Sequence, residues 1–327
     1  AGLRASEEAD KKLADAASGA EAELAKAKDE AAGILEQARN RANQMVEEAK
    51  NDARQEGERL IEAARAEIDQ EVNRAKEVLR GQVSALVISG AEQVLEVDTP
   101  ALSTATGSDP NIEALTVCTA TGGEYYLHTS PEFCMKRLLA DGYPDIFSIC
   151  RVYRDGEAGS RHLAEFTMLE WYRLGFGLSD MVADTVQLIA ACLDQPTLVE
   201  NRVTYDYRAA FRRFAGVDPL DAGSDELAAC CNADDDLRAA IGEDRDAWLD
   251  LILTTVVAPR FEPDQETVLQ HYPASMAALA RLCPGDPQVA DRFEIFIGER
   301  ELANGYVELT DAAEQRRRFE QETALRQ

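Results

Sequence analysis

RVYRDGEAGSRHLAEFTMLEWYR, residues 151–173, is the stretch on which the fold turns. The apolar run from Ile146 to Tyr153 leads into it and reads as one strand, and Phe166 to Tyr172 reads as a second. A glycine-containing turn separates them, with Arg154 on one side and His162 on the other. A guanidinium there can hold a phosphate bidentately while an imidazole meets a second phosphate. Phe166 can stack under a base, and Glu165 can accept from an exocyclic amine. Each residue also has an ordinary reading. An Arg–Glu pair is most often a plain ion pair, a histidine beside apolar residues is usually structural, and Phe166, Trp171 and Tyr172 would usually be core.

Two further stretches carry chemistry. HTSPEFCMKRLL, residues 128–139, reads as a helix over Ser130 to Leu139 opened by Ser-Pro-Glu, with Pro131 in the first turn and Glu132 placed to grip an ammonium group. ERELANGYVELTD, residues 299–311, reads as a strand over Glu301 to Leu309. Glu301 and Glu308 are seven apart, so they fall on opposite faces unless a bulge or turn intervenes. Asn304-Gly305 supplies a turn signal. Around these, Glu124 to Leu127 and Phe293 to Ile297 read as strands, Leu178 to Leu193 as an amphipathic helix, and about 205–258 as mainly helical. Strands flanked by helices predict an α+β sheet domain.

Upstream the chain changes character. Residues 1–99 contain no Pro, Cys, His, Phe, Tyr or Trp, and Pro100 marks the seam. The segment is rich in Ala, Glu, Lys, Arg and Gln, all strong helix formers. Its apolar residues repeat every eleven positions: Ala20, Ala31, Ala42, Ala53, Ala64, Ala75 in one series, and Leu24, Leu35, Val46, Gly57, Ile68, Leu79 in another. Eleven residues in three turns predict a right-handed supercoil, so the segment reads as a long helix of right-handed coiled-coil type. A lone helix cannot bury so narrow a stripe, which calls for a second helix or a docking surface.

The formal net charge is −27, of which −20 lies after residue 96. Such a surface repels phosphate backbones, so no nucleic-acid partner is expected, whereas a cationic ligand or a basic protein suits it. The seven cysteines include no CxxC pair and are expected as reduced core thiols of a cytoplasmic protein. No signal peptide is evident, and the apolar run Val83 to Ile88 is too short to span a bilayer.

In order along the chain, the three chemistry-bearing stretches resemble the class II aminoacyl-tRNA synthetase catalytic domain of lysyl type. They are most like its paralogues that attach a lysine-like amino acid to elongation factor P, the lysine aminoacylases or (R)-β-lysine ligases. VLEVDTPAL (94–102) looks like the end of motif 1, and TSPEFCMKRLL with 151–173 looks like the amino-acid pocket and motif 2. EWYR, HYPASMAALAR (271–281) and ELANGYVELTDAAEQRRRFEQ favour the ligases over the tRNA enzymes.

The resemblance implies that Ser130, Glu132, Tyr172 and Glu308 bind the amino acid, Glu308 balancing a cationic side chain. It implies ATP bound by Arg154 at the α-phosphate, His162 at the distal phosphates and Phe166 on adenine, with Glu301 and the Leu302 backbone near ATP and Mg2+. Arg154 and Glu301 would be the catalytic pair, with Glu301 the Mg2+ ligand. The implied reaction is attack of the lysine or (R)-β-lysine carboxylate on the α-phosphorus, then transfer of the acyl group to a lysine of elongation factor P.

The sequence departs from the family pattern at three points. Arg154-Asp155-Gly156 stands for Arg-Asn-Glu, with Glu157 a candidate replacement carboxylate. His162-Leu163-Ala164-Glu165-Phe166 stands for His-Asn-Pro-Glu-Phe. The sequence also ends at Gln327 without the strand and arginine helix of motif 3, so a defective ligase is one expectation.

Residues from Lys11 to Val94 resemble the soluble part of bacterial ATP synthase subunit b, a peripheral stalk that dimerises and meets the delta subunit near a motif matching Ser89-Gly90-Ala91-Glu92. The expected organisation is therefore a stalk-like helix over 1–96 and a synthetase-like domain over 97–327, incomplete before motif 3. Expected partners are elongation factor P, a second copy in a homodimer, and the ATP synthase delta subunit or a second stalk helix. A structural peripheral-stalk helix and a fused or truncated reading frame without competent activity are the two competing expectations.

Overall fold

The structure is a computed structural model of the chain. It describes scattered residues between 19 and 51, nearly all of 53–79, residue 81, and then 94–107, 112–120, 122–156 and 162–325. Ser89-Gly90-Ala91-Glu92 and Glu157 lie outside the described residues. The chain divides into two units, Ala1–Ala75 and Lys76–Gln327.

In the first unit every described residue is helical, as the composition predicts. Residues 53–68 and 70–79 form helix α1, whose last residues from Lys76 on belong to the second unit. Ion pairs one turn apart brace the outside, among them Lys50 with Glu47 and Arg59 with Glu56. Among the described residues of the eleven-residue repeat, Val46 and Ile68 stand in solvent, each more than half exposed.

The second unit is built on three sheets. The first joins β1 (Leu95–Glu96), β5 (Ile146–Tyr153) and β6 (Glu165–Tyr172) in the order β1-β5-β6. The second is a small sheet in the order β2-β4-β3, formed by β2 (Leu102–Ser103), β3 (Thr116–Cys118) and β4 (Glu124–Leu127). The third runs β11-β10-β8-β7, from β7 (Val203–Asp206), β8 (Glu266–Pro273), β10 (Asp286–Ile297) and β11 (Arg300–Tyr306), with β9 (Leu282–Cys283) pairing to β10.

The α+β class stands, but the sheets are not purely antiparallel. β1 runs parallel to β5, and β7 parallel to β8. The cause is connectivity: each parallel pair is joined by a long crossover instead of a tight turn. The first crossover holds the small sheet and α2 (Glu132–Ala140). The β6–β7 connection holds α3 (Leu178–Cys192) and α4 (Thr197–Asn201). The second crossover holds α5 (Tyr207–Phe214), α6 (Ser224–Cys230), α7 (Asp235–Ile241) and α8 (Arg245–Ile252), and α9 (Ala312–Leu325) closes the described chain.

The largest core lies under that second crossover. Tyr207, Phe211, Trp248, Leu249, Ile252 and Leu269 pack there and are essentially inaccessible. A smaller cluster of Val94, Phe147, Ile149 and Leu188 takes Leu79, near the start of this unit, against it. All seven cysteines are free; Cys118 is exposed and the other six are half-buried, so the expected core thiols sit at the core's margin.

Gly305 corrects the expected turn at Asn304-Gly305. Both residues lie inside β11, where Gly305 pairs with Phe293 and Asn304 with Glu294. A Cβ at Gly305 would stand 2.6 Å from the Phe293 ring, so the glycine is there for close approach of an aromatic side chain. The strand accordingly ends at Tyr306 and does not run to Leu309.

Candidate active site

The β5–β6 hairpin fixes the site's first row. Its register pairs Ile146 with Tyr172, Ser148 with Glu170 and Val152 with Phe166. Alternation along a strand puts Phe166, Glu170 and Tyr172 on one face, so the residue expected to stack a base and those of the amino-acid pocket share a single row.

Helix α2 brings the second group. Ser130 accepts from the Glu132 backbone N–H at 3.0 Å and donates to the Glu170 carboxylate at 2.6 Å, tying the helix start to β6. Tyr172 donates to the other Glu170 oxygen at 2.7 Å. Glu132 accepts from the Tyr306 hydroxyl at 2.5 Å. Lys136, one turn along α2, meets both Glu132 and Glu308 at 2.6 Å. Glu308 is set by backbone pairing across Ala280 and by Leu309 N–H donating to the Leu279 carbonyl.

The pocket thus holds three carboxylates, from Glu132, Glu170 and Glu308, around one ammonium group. Its electrostatics reflect that imbalance. Burial pushes Glu308 up to about 7, Lys136 pulls it back, and Glu132 and Glu170 add to the rise. Burial also raises Glu170, against the hydrogen bond from Ser130. For Lys136 burial acts downward, but the two carboxylates outweigh it and the net shift is upward. Tyr172 and Tyr306 are held protonated, well above the usual phenol range, by burial and the same acids.

A second group lies beside the first. The Arg154 guanidinium sits 5.2 Å from the centre of the Phe166 ring, and its charge reaches Glu301. Glu301 pairs with Phe296 across a register shift between Ile295 and Phe296, which makes Leu302 the bulged residue of β11. The bulge resolves the odd spacing: Glu301 shares a face with Asn304 and Tyr306. Protein packed around its carboxyl, with Glu294 nearby, pushes Glu301 up to about 8 against Arg292 and Arg154, although the residue as a whole is exposed. Asp250, pushed up to about 6 by burial, stands in the same field.

The structure therefore brings Ser130, Glu132, Tyr172 and Glu308 into one pocket, and Arg154, Phe166 and Glu301 into another group. His162 is exposed in the β5–β6 connection, and Leu302 is 46% exposed at its bulge. Three pocket residues escaped the sequence reading: Lys136, Glu170 and Tyr306. Lys136 follows Glu132 by four on a helix, and Glu170 precedes Tyr172 by two on a strand, so face-sharing alone marks both. Nothing local marks Tyr306.

Residues 54–327 match the family model described as tRNA synthetases class II (D, K and N). The chain belongs to that family. Residues 1–96 match a second model, ATP synthase B/B' CF(0), so the two matches overlap over 54–96. Among curated proteins, this class II family member is similar to several named Elongation factor P--(R)-beta-lysine ligase. That of Sodalis glossinidius (strain morsitans) is 42% identical over 239 residues, covering 71% of this chain and 72% of that protein. That of Pseudoalteromonas translucida (strain TAC 125) is 42% identical, covering 72% of this chain and 74% of that protein. That of Actinobacillus succinogenes is 43% identical, covering 71% and 72%. No helix among the described residues is long and apolar enough to cross a membrane.

Proposed function

We propose that the Lys76–Gln327 unit activates lysine or (R)-β-lysine as an adenylate at the expense of ATP and passes the acyl group to a lysine of elongation factor P. The observation that carries this reading is the acid-rich pocket: three carboxylates face one internal ammonium, so the site is short of positive charge. A substrate ammonium supplies it. Glu132 and Glu308 take the cationic groups, Glu170 orients Ser130 and Tyr172, and the carboxylate is left to point toward Arg154.

The neighbouring groups suit a magnesium nucleotide. Phe166 offers a face for a base and Arg154 a fork for a phosphate, while Glu301, with Glu294 and Asp250 in its field, offers hard oxygen donors. Bound Mg2+ would neutralise phosphate charge as the α-phosphorus is attacked. No protein nucleophile is required: the residues position the two reactants and balance charge as pyrophosphate leaves. The domain division at 96/97 and the cytoplasmic setting belong to this reading.

The test is ATP–pyrophosphate exchange on the full chain with lysine and with (R)-β-lysine. Exchange dependent on either amino acid is expected. Flat exchange from a cooperatively folded protein refutes the reading.

A second reading applies to the amino-terminal unit. Its match to the ATP synthase B/B' model and the exposed Val46 and Ile68 of its eleven-residue repeat favour a stalk-like helix that pairs with another helix, as a homodimer or against a stalk partner. Sedimentation of the full chain tests it: an elongated dimer is expected, and a monomer at every concentration refutes it.

A further inference from the structure

Outside the candidate active site, the described residues hold one grouping of metal-ligating side chains, on the third sheet. One ring nitrogen of His271, the Cys283 sulfur and a carboxylate oxygen of Asp291 all lie within 4.8 Å of one another. They come from three different strands, β8, β9 and β10. We propose that His271, Cys283 and Asp291 form a binding site for Zn2+ that clasps these three strands together.

The chemistry of the donors selects the ion. A thiolate, an imidazole and a carboxylate suit zinc, whereas Mg2+ and Ca2+ take oxygen donors alone. Zinc bonds of about 2.0–2.3 Å place neighbouring ligand atoms of a tetrahedral ion roughly 3.3–3.8 Å apart. Cys283 Sγ and Asp291 Oδ1 are 3.0 Å apart, and the His271 nitrogen lies within 4.8 Å of both. Side-chain rotation would bring the three onto one ion, with a water in the fourth position.

The site also has the outer contacts that hold ligands in place. His271 Nδ1 lies 2.7 Å from Asp206 Oδ1, which fixes the ring. Gln270 donates to the same Asp206 oxygen at 3.2 Å. Arg281 donates to Asp291 Oδ2 at 2.6 Å, leaving Oδ1 turned toward Cys283. The Cys283 thiol donates to that oxygen at 3.0 Å. The ion takes the place of this proton, which is released to solvent as the thiolate forms. Thiolate and carboxylate then supply two negative charges to the ion, the carboxylate shared with Arg281.

The backbone is shaped to the same end. His271 has φ of +59°, a left-handed conformation uncommon for a residue with a side chain. β10 shifts register against β8 between Ala290 and Phe293, the segment that carries Asp291. Such a bulge re-aims a side chain. The clasped segment also touches the candidate active site: Arg281 N–H donates to the Val307 carbonyl, and Ala280 bridges Glu308. A metal at this site would steady the segment around Ala280 that positions Glu308.

The experiment is titration of the chelator-treated full chain with Co2+ and Zn2+. One equivalent is expected to bind, with a thiolate-to-cobalt charge-transfer band that Zn2+ abolishes. Cys283→Ser should remove the band, and His271→Ala should weaken binding by about 10- to 100-fold. Cys118→Ser, at an exposed cysteine elsewhere, should leave both unchanged. If either ligand variant fails to fold, Asp206→Asn, which keeps all three ligands, should still weaken binding by about tenfold. No stoichiometric binding, or binding that all these variants leave intact, overturns the proposal. Neither result depends on whether the chain activates an amino acid.

Discussion

Glu266 opens β8 with a side chain wholly shielded from solvent, and neither carboxyl oxygen has a hydrogen-bond partner among the described residues. Burial pushes its pKa up from 4.5 to about 7, with Arg202 pulling the other way. In the unfolded chain the group titrates at its ordinary value, so the folded state holds the proton more tightly. The sign follows: the benefit of the folded state's bound proton is fully present below about pH 4.5 and is lost as pH rises through about 7. The shift corresponds to about 3 kcal/mol, with a steepest slope of about 1.4 kcal/mol per pH unit. Glu266→Gln removes the ionisation. The variant should match the parent near pH 4.5 and exceed it by about 2–3 kcal/mol at pH 8, the amide retaining some desolvation cost. Urea denaturation followed by tryptophan fluorescence measures this. Both tryptophans, Trp171 and Trp248, lie in the second unit, so the signal ignores the helical unit. Comparing variant with parent at each pH cancels the titration of distant carboxylates. A stability difference that stays flat between pH 5 and 8, or a variant less stable at pH 8, would refute the reasoning.

Other consequences can be checked on the same protein. Glu308→Gln should raise KM for a basic amino acid in pyrophosphate exchange by about 10- to 100-fold, the loss expected for one charged contact, with a smaller effect on kcat. Because Glu308 titrates near 7 in the free protein, a cationic amino acid should bind about tenfold more tightly at pH 8 than at pH 6 by calorimetry. A pH-independent affinity would remove Glu308 from the binding group. Gly305→Ala should lower stability by about 1–3 kcal/mol, since its Cβ meets the Phe293 ring at 2.6 Å, and thermal melting reads the change.

Much of the site was legible because local pattern and tertiary role agreed there. The boundaries of β5 and α3, and the start of α2 at Ser-Pro-Glu, follow from apolar runs and turn residues in the sequence. β8 was not legible. Its ETVLQ half is buried on both faces and shows no alternation, while His271 and Pro273 break the strand signal. Asn304-Gly305 misled for the opposite reason. The pair is a strong hairpin signal, but the Phe293 ring that requires the glycine is distant in sequence. The parity of Glu301 and Glu308 posed the right question, and only the bulge at Leu302 answers it. The mixed sheets were hidden because two-residue strands such as β1 leave no pattern to read.

Lys136 makes the acid pocket a site that already has an occupant. Tethered to α2 and held by Glu132 and Glu308 at 2.6 Å, its ammonium competes with any incoming amine at a local concentration far above that of a free metabolite. An amino acid with an uncharged side chain brings only its own backbone ammonium to exchange for those contacts. A singly cationic side chain can at best share them. Discrimination between substrates then rests less on pocket size than on a trade of counter-ions, in which the ligand must deliver more positive charge than the lysine it pushes aside.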